Sequence, residues 1–218
     1  MVDEPVTTGG VRGLLKNPFV IAFIVSAVVL TLLREPLRHV PPPPEAMGSF
    51  PEFTLEEKGA GEVSLSTLSN QVWVAGAFSV ECQEGCREVL WALGALETSY
   101  GINRRPIRLF AVCMDPEPDA ESLAARIESL SPTGHSWRVL SGSADALEPL
   151  LSAFRPDDVA RPDGHHCRRR SLLLIDGEGQ LRGAYDSSEV GVDEAYHRSS
   201  AVDREMRKEW REKSGESP

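Results

Sequence analysis

The chain has 218 residues, of which 41% are apolar and 26% charged, and it carries a formal net charge of -10 at pH 7. That length holds one domain with extensions, and the balance of apolar to charged residues excludes global disorder. The acidity disfavours nucleic acid as a partner, and the sequence contains no zinc-finger ligand set, Walker loop or G-x-G-x-x-G motif.

The first element is the uncharged run FVIAFIVSAVVLTLL over 19–33. It predicts one N-terminal transmembrane helix behind a short cytoplasmic tail, residues 1–18. A helix of that length rises about 22 Å, against a hydrocarbon core of roughly 30 Å, so Leu14, Leu15 and a snorkelling Lys16 would have to extend it. Arg34 to Arg38 follow the run without a nearby small-x-small cleavage site, which argues against a signal peptide. Arg12 and Lys16 before the run balance Arg34 and Arg38 after it, so orientation rests on the cysteines downstream, which suit an oxidising compartment. The expectation is an anchor in an inner (cytoplasmic) membrane, single-pass, with the soluble domain facing the periplasm.

Residues 34–48 contain four consecutive prolines, 41–44, and predict a stiff polyproline II stalk. The folded domain is expected over 49–191. Within it, 50–55 and 61–65 read as an entry hairpin, and QVWVAGAF over 71–78 as a buried strand. A helix follows over 87–100, starting close to Cys86, with Val89, Leu93, Leu96 and Tyr100 on one face. A second buried strand covers 108–114, a helix 120–130, a short extended segment 137–140 and a helix 145–154. A strand over 171–176 and another over 180–185 close as a hairpin. Residues 192–218 are charged and predict a solvated terminal helix and tail. Strands alternating with helices indicate an α/β sandwich with a mixed central sheet, and the order fits a thioredoxin-like fold.

The chemistry concentrates in Cys82-Gln-Glu-Gly-Cys86, a C-x-x-x-C motif between strand and helix. Thiols there lie near unpaired N–H groups and the positive end of the helix dipole, which favours thiolates, while Glu81, Glu84 and Glu88 oppose ionisation. A spacing of four lets both sulfurs meet one soft ion such as Cu(I), and it equally allows a redox dithiol or a structural disulfide. The further donors lie in Asp163-Gly-His165-His166-Cys167. Neighbouring residues on an extended chain point to opposite faces, so at most one imidazole is expected at the site. Cys113 lies in an apolar strand and reads as a buried thiol. The acidic run Asp115 to Asp119 reads as a helix entry with Asp119 as N-cap.

Several segments in order carry a family resemblance: Pro51-x-Phe53-x-Leu55 with Val63-x-Leu65 and Leu68; Val72 to Gly76 leading to the C-x-x-x-C; Met114-Asp-Pro-Glu-Pro-Asp119; Trp137-x-x-Leu140-x-Gly142; and Leu174-Ile-Asp176 with Gly179-x-Leu-Arg-Gly183-x-Tyr185. Over about 51–186 the chain resembles the Sco (SenC) family of membrane-anchored, thioredoxin-like copper chaperones for cytochrome c oxidase assembly. The resemblance implies that Cys82 and Cys86 form the redox pair and, with a histidine, hold Cu(I). Gln83 and Arg87 stand where the family commonly has prolines. Counting back without gaps from Leu174 puts the family histidine on Arg168. His166 lies two residues earlier on the same strand face and is the expected third ligand, and His165 would point away.

The implied function is a copper-binding assembly factor that delivers Cu(I) to a cytochrome c oxidase subunit or maintains that subunit's thiols. The expected protein is a monomeric metallochaperone, held to the membrane by its anchor and needing no catalytic turnover. Two alternatives stand beside it. One is a membrane-anchored thiol-disulfide oxidoreductase without copper, and the other a degenerate interaction scaffold.

Overall fold

The computed structural model describes residues 18–37, 42–80, 85–130, 136–154 and 172–215. The chain forms two compact units, Met1–Val40 and Pro41–Pro218. In the first, α1 (Pro18–Leu37) is a helix of 20 residues. Among the described residues no helix is long and apolar enough to cross a membrane. The uncharged stretch rises only about 22 Å, short of the ~30 Å core, and α1 continues by taking in Arg34 and Glu35. This overturns the expected transmembrane helix over 19–33. With it go the membrane as a partner through an N-terminal anchor, the single-pass placement in an inner membrane and the periplasm-facing domain.

In the second unit, β4 (Trp73–Phe78) is buried at every position. Its sequence is an unbroken apolar run because helices or hairpins cover both faces of the strand. On one side β4 pairs in parallel with β5 (Arg108–Cys113), and β5 pairs in parallel with β6 (Arg138–Ser141). On the other side it pairs antiparallel with β7 (Leu172–Ile175), and β7 pairs with β8 (Gln180–Tyr185). The short β1 (Gly48–Ser49) borders β8, while β2 (Thr54–Glu57) and β3 (Gly61–Ser64) extend the sheet beyond β6. Among the described residues the eight strands run β1-β8-β7-β4-β5-β6-β2-β3. This is the mixed thioredoxin-like sheet expected from the sequence.

Among the described residues four α-helices complete this unit: α2 (Gly85–Ile102), α3 (Ala120–Leu130), α4 (Ala144–Phe154) and α5 (Glu189–Ser214). The alternation of β4 and β5 sorts the core into two layers. Val74, Phe78, Leu109, Ala111 and Cys113 face α2, α3 and α5, where they pack on Leu90, Leu93, Leu96, Leu123, Ile127 and Val202. Trp73, Ala75, Phe110 and Val112 face α4 and the N-terminal hairpin. On that side Phe50, Phe53 and Phe110 meet the Trp73 ring edge-on, at centroid distances of 5.3, 6.0 and 5.9 Å.

Helix α5 differs from the expected solvated helix. Ser188 caps its start by accepting the Gly191 N–H, and Gly215 ends it in the left-handed conformation at φ 71°. Its first half is buried through Val192, Ala195, Ser199, Ser200, Ala201 and Val202. Small residues make this seam, so the segment shows little apolar character in sequence while packing closely on α2. The Tyr100 and Ser199 hydroxyls bond across it at 2.7 Å.

The proline-rich segment is held along the same side of the domain. Arg182 donates from Nε to the Pro44 carbonyl at 2.7 Å, Arg198 from Nη1 to the Pro42 carbonyl at 3.2 Å, and the Met47 amide to the Leu181 carbonyl at 2.7 Å. Proline lacks an N–H, so its carbonyl is the only backbone group left to grip.

Candidate thiol site at the motif edge of the sheet

The parallel strands β4 and β5 end side by side, with Phe78 in register with Cys113. Beyond Phe78 the chain passes Ser79 and Val80, and the next described residue is Gly85, the first of α2. Cys86 is therefore in the first turn of α2 and is fully buried. The Ser79 amide donates to Cys86 Sγ at 3.2 Å. The N–H directed at sulfur and the positive end of the helix suit a sulfur that carries negative charge, while full burial opposes that charge.

Asp115, two residues past the end of β5, organises this corner. Its Oδ1 accepts from the Ser79 hydroxyl at 2.7 Å and its Oδ2 from the Val80 amide at 2.5 Å. Cys113 Sγ lies 3.6 Å from Oδ2, within reach of an S–H donor. Cys113 is itself fully buried and shares the α2 face with Cys86. Burial pushes its thiol up to about 12; an Asp115 N–H works against the shift, and the Asp115 carboxylate and Cys86 add to it. At rest Cys113 is a protonated, weakly nucleophilic thiol.

The acidic run divides its labour between two residues. Asp119 caps α3 as expected, taking the Ser122 N–H at 2.8 Å, and that bond lowers its pKa. Asp115 instead fastens the strand-to-motif junction. Sequence reasoning missed this role and that of Ser79, because both depend on a strand pairing 35 residues distant along the chain.

Of the expected site residues, Cys86 is placed as just described. Cys82 and His166 lie outside the described residues, as do His165 and Cys167. Among the described residues no group of three or more His, Cys, Asp or Glu is arranged to hold a metal ion. The described residue nearest to His166 along the chain is Leu172, which opens β7 and pairs with Gly76. Because β7 runs antiparallel to β4, it starts close to the strand end that leads to Cys86.

No family model matches the chain. Among curated proteins, the SCO1 protein homolog of Bacillus subtilis (strain 168) is 22% identical over 142 residues, spanning 63% of this chain and 73% of that protein. Over that region the chain is similar to this Sco1 homolog. Solved structures agree on the thioredoxin-like fold. The structure of BsSco, described as a member of the Sco family of cytochrome c oxidase assembly proteins with a disulfide switch, has a TM-score of 0.60 at 18% identity, covering 75% of this chain and 98% of that one. Yeast Sco1 with copper bound gives a TM-score of 0.54 at 21% identity, covering 75% and 94% of the two chains.

Proposed function

We propose that this chain is a Sco-type protein that carries Cu(I) as cargo, held by Cys82, Cys86 and His166, and transfers it to a cytochrome c oxidase subunit or keeps that subunit's thiols reduced. The observation that carries the reading is the setting of Cys86. It is a buried sulfur in the first turn of α2 that accepts the Ser79 N–H, an environment suited to a soft thiolate donor. The relatives named above supply the partner class, and the start of β7 beside Gly76 supports a histidine donor arriving from the segment before it.

Cu(I) tolerates low coordination and exchanges between thiolates, so transfer requires ligand exchange and no turnover. A thiolate at Cys86 or Cys82 can also attack a partner disulfide. The partner S–S bond breaks, a mixed disulfide forms, and the second motif thiol displaces the partner sulfur as a thiolate.

The test is a titration of the reduced full chain with Cu(I) against a competing chelator, with Cys82→Ser, Cys86→Ser, His166→Ala and His165→Ala alongside. One-to-one binding lost in both serine variants and weakened by His166→Ala is the expected result. Weak binding by the parent, combined with turnover of a disulfide substrate, would replace the reading with a thiol-disulfide oxidoreductase. Weakening by His165→Ala alone would exchange the third ligand.

A further inference from the structure

Cys113 is a third thiol at this corner, and neither copper holding nor the C-x-x-x-C chemistry uses it. Three observations place it with Cys86. Cys113 is in register with Phe78, the residue just before Ser79, so it lies across from the amide that donates to Cys86 Sγ. It faces the α2 side of the sheet, within the same buried cluster as Cys86. Both sulfurs are also tied to consecutive residues of one junction: Cys86 Sγ directly to Ser79 N, and Cys113 Sγ through Asp115 Oδ2 to Val80 N. The geometry thus gathers two buried sulfurs around the Ser79–Val80 step.

We propose that Cys113 is a resolving thiol for Cys86, a buried nucleophile that clears mixed disulfides from it. The co-reactant is a low-molecular-weight disulfide, R–S–S–R. Cys86 Sγ attacks one of its sulfurs, the R–S–S–R bond breaks, Cys86–S–S–R forms and one RS⁻ leaves. Cys113 then loses its proton by way of Asp115 Oδ2 to solvent and attacks Cys86 Sγ. The Cys86–Cys113 bond forms and the second RS⁻ leaves. Two protein thiols are oxidised and one disulfide is reduced to two thiols, with the two protons ending on the released RS⁻ groups. Both sulfurs are fully buried, so the outside disulfide meets Cys86 through local opening of the first turn of α2, whereas Cys113 belongs to β5, a central strand paired on both sides that opens only with the sheet. Because Cys113 must first lose its proton, resolution is slow, on the minutes-to-hours scale of uncatalysed disulfide rearrangement. Copper takes no part, so this inference and the copper reading stand or fall separately.

The test uses the full chain carrying Cys82→Ser and Cys167→Ser, which leaves Cys86 and Cys113 as its thiols, treated with excess 4,4′-dithiodipyridine under native conditions. The expected result is two equivalents of thiopyridone per chain, no retained adduct, a mass lower by two hydrogens and a linked Cys86–Cys113 peptide. With Cys113→Ser added, release should halve and the adduct should stay on Cys86. In urea both thiols should carry adducts, which distinguishes folded proximity from chance closure. A persistent adduct on Cys86 beside a reduced Cys113, or an unreacted Cys86, overturns the proposal. Near-UV circular dichroism matching the parent establishes that the variants are folded.

Discussion

Replacing Asp115 by alanine removes the carboxylate that accepts from the Ser79 hydroxyl, the Val80 amide and the Cys113 thiol. Unmade bonds in a part-buried corner cost about 1–3 kcal/mol, so Asp115→Ala should lower stability by that order in urea unfolding, and Asp115→Asn, which keeps an acceptor oxygen, by less. The same corner gives a pH signature. Cys113 has an ordinary thiol value of 9.0 when unfolded and is pushed up to about 12 by burial when folded. Below pH 9 both states keep the proton and nothing changes. Above it the unfolded chain releases a proton that the folded one retains, so stability falls as pH rises from 9 toward 12. Tyr185, also pushed up to about 12 by burial from 10.0, joins this decline only above pH 10. Melting temperatures of the parent and Cys113→Ala should therefore differ in slope between pH 9 and 10, with the variant flatter. At this scale the sequence showed the cysteines but not their setting. The C-x-x-x-C spacing marked Cys86 without its β5 neighbours, and nothing in the run Asp115 to Asp119 distinguished the residue that fastens the junction from the one that caps α3.

Arg182 holds three parts of the chain together. It donates to the Pro44 carbonyl, pairs with Asp176 in the β7–β8 turn at 3.0 Å and pairs with Glu205 on α5. Removing it leaves Asp176, only 5% exposed, without its cation, although that carboxylate keeps the Glu178 and Gln180 amides. Arg182→Ala should cost about 1–3 kcal/mol, below the range for breaking a fully buried pair because Arg182 is part-exposed. It should also speed protease cleavage around 42–49 relative to the parent, measured by limited digestion. Elements that bury a continuous apolar run were legible in the sequence: β4, β5 and β7 were expected within two residues of their observed ends. Two features were not. β1 is two residues long and exists through pairing with β8 at Leu181 and Gln180, and the buried face of α5 is built from alanines and serines that carry little hydropathy.

At the scale of the whole domain, α5 closes one layer of the core although it lies last in sequence. Val192, Ala195, Ala201 and Val202 cover the α2 face, and Ser199 satisfies the buried Tyr100 hydroxyl. A chain ending before Glu189 should bind 8-anilinonaphthalene-1-sulfonate and lose its sharp unfolding transition, because an apolar layer would face water. An intact transition without dye binding would show that α5 is dispensable. The sheet order also separates the two jobs of the fold. The central strands β4, β5 and β7 frame the thiols, while β1, Arg182 and Arg198 secure the incoming chain at the far edge. A pull on the segment ahead of Pro42 would first load the two arginine grips on proline carbonyls and then the two-residue β1 ladder. Those bonds work as a strain relief, as on a cable, so tension entering the domain from the N-terminal side is spent before it reaches the strand pair that sets the position of Cys86.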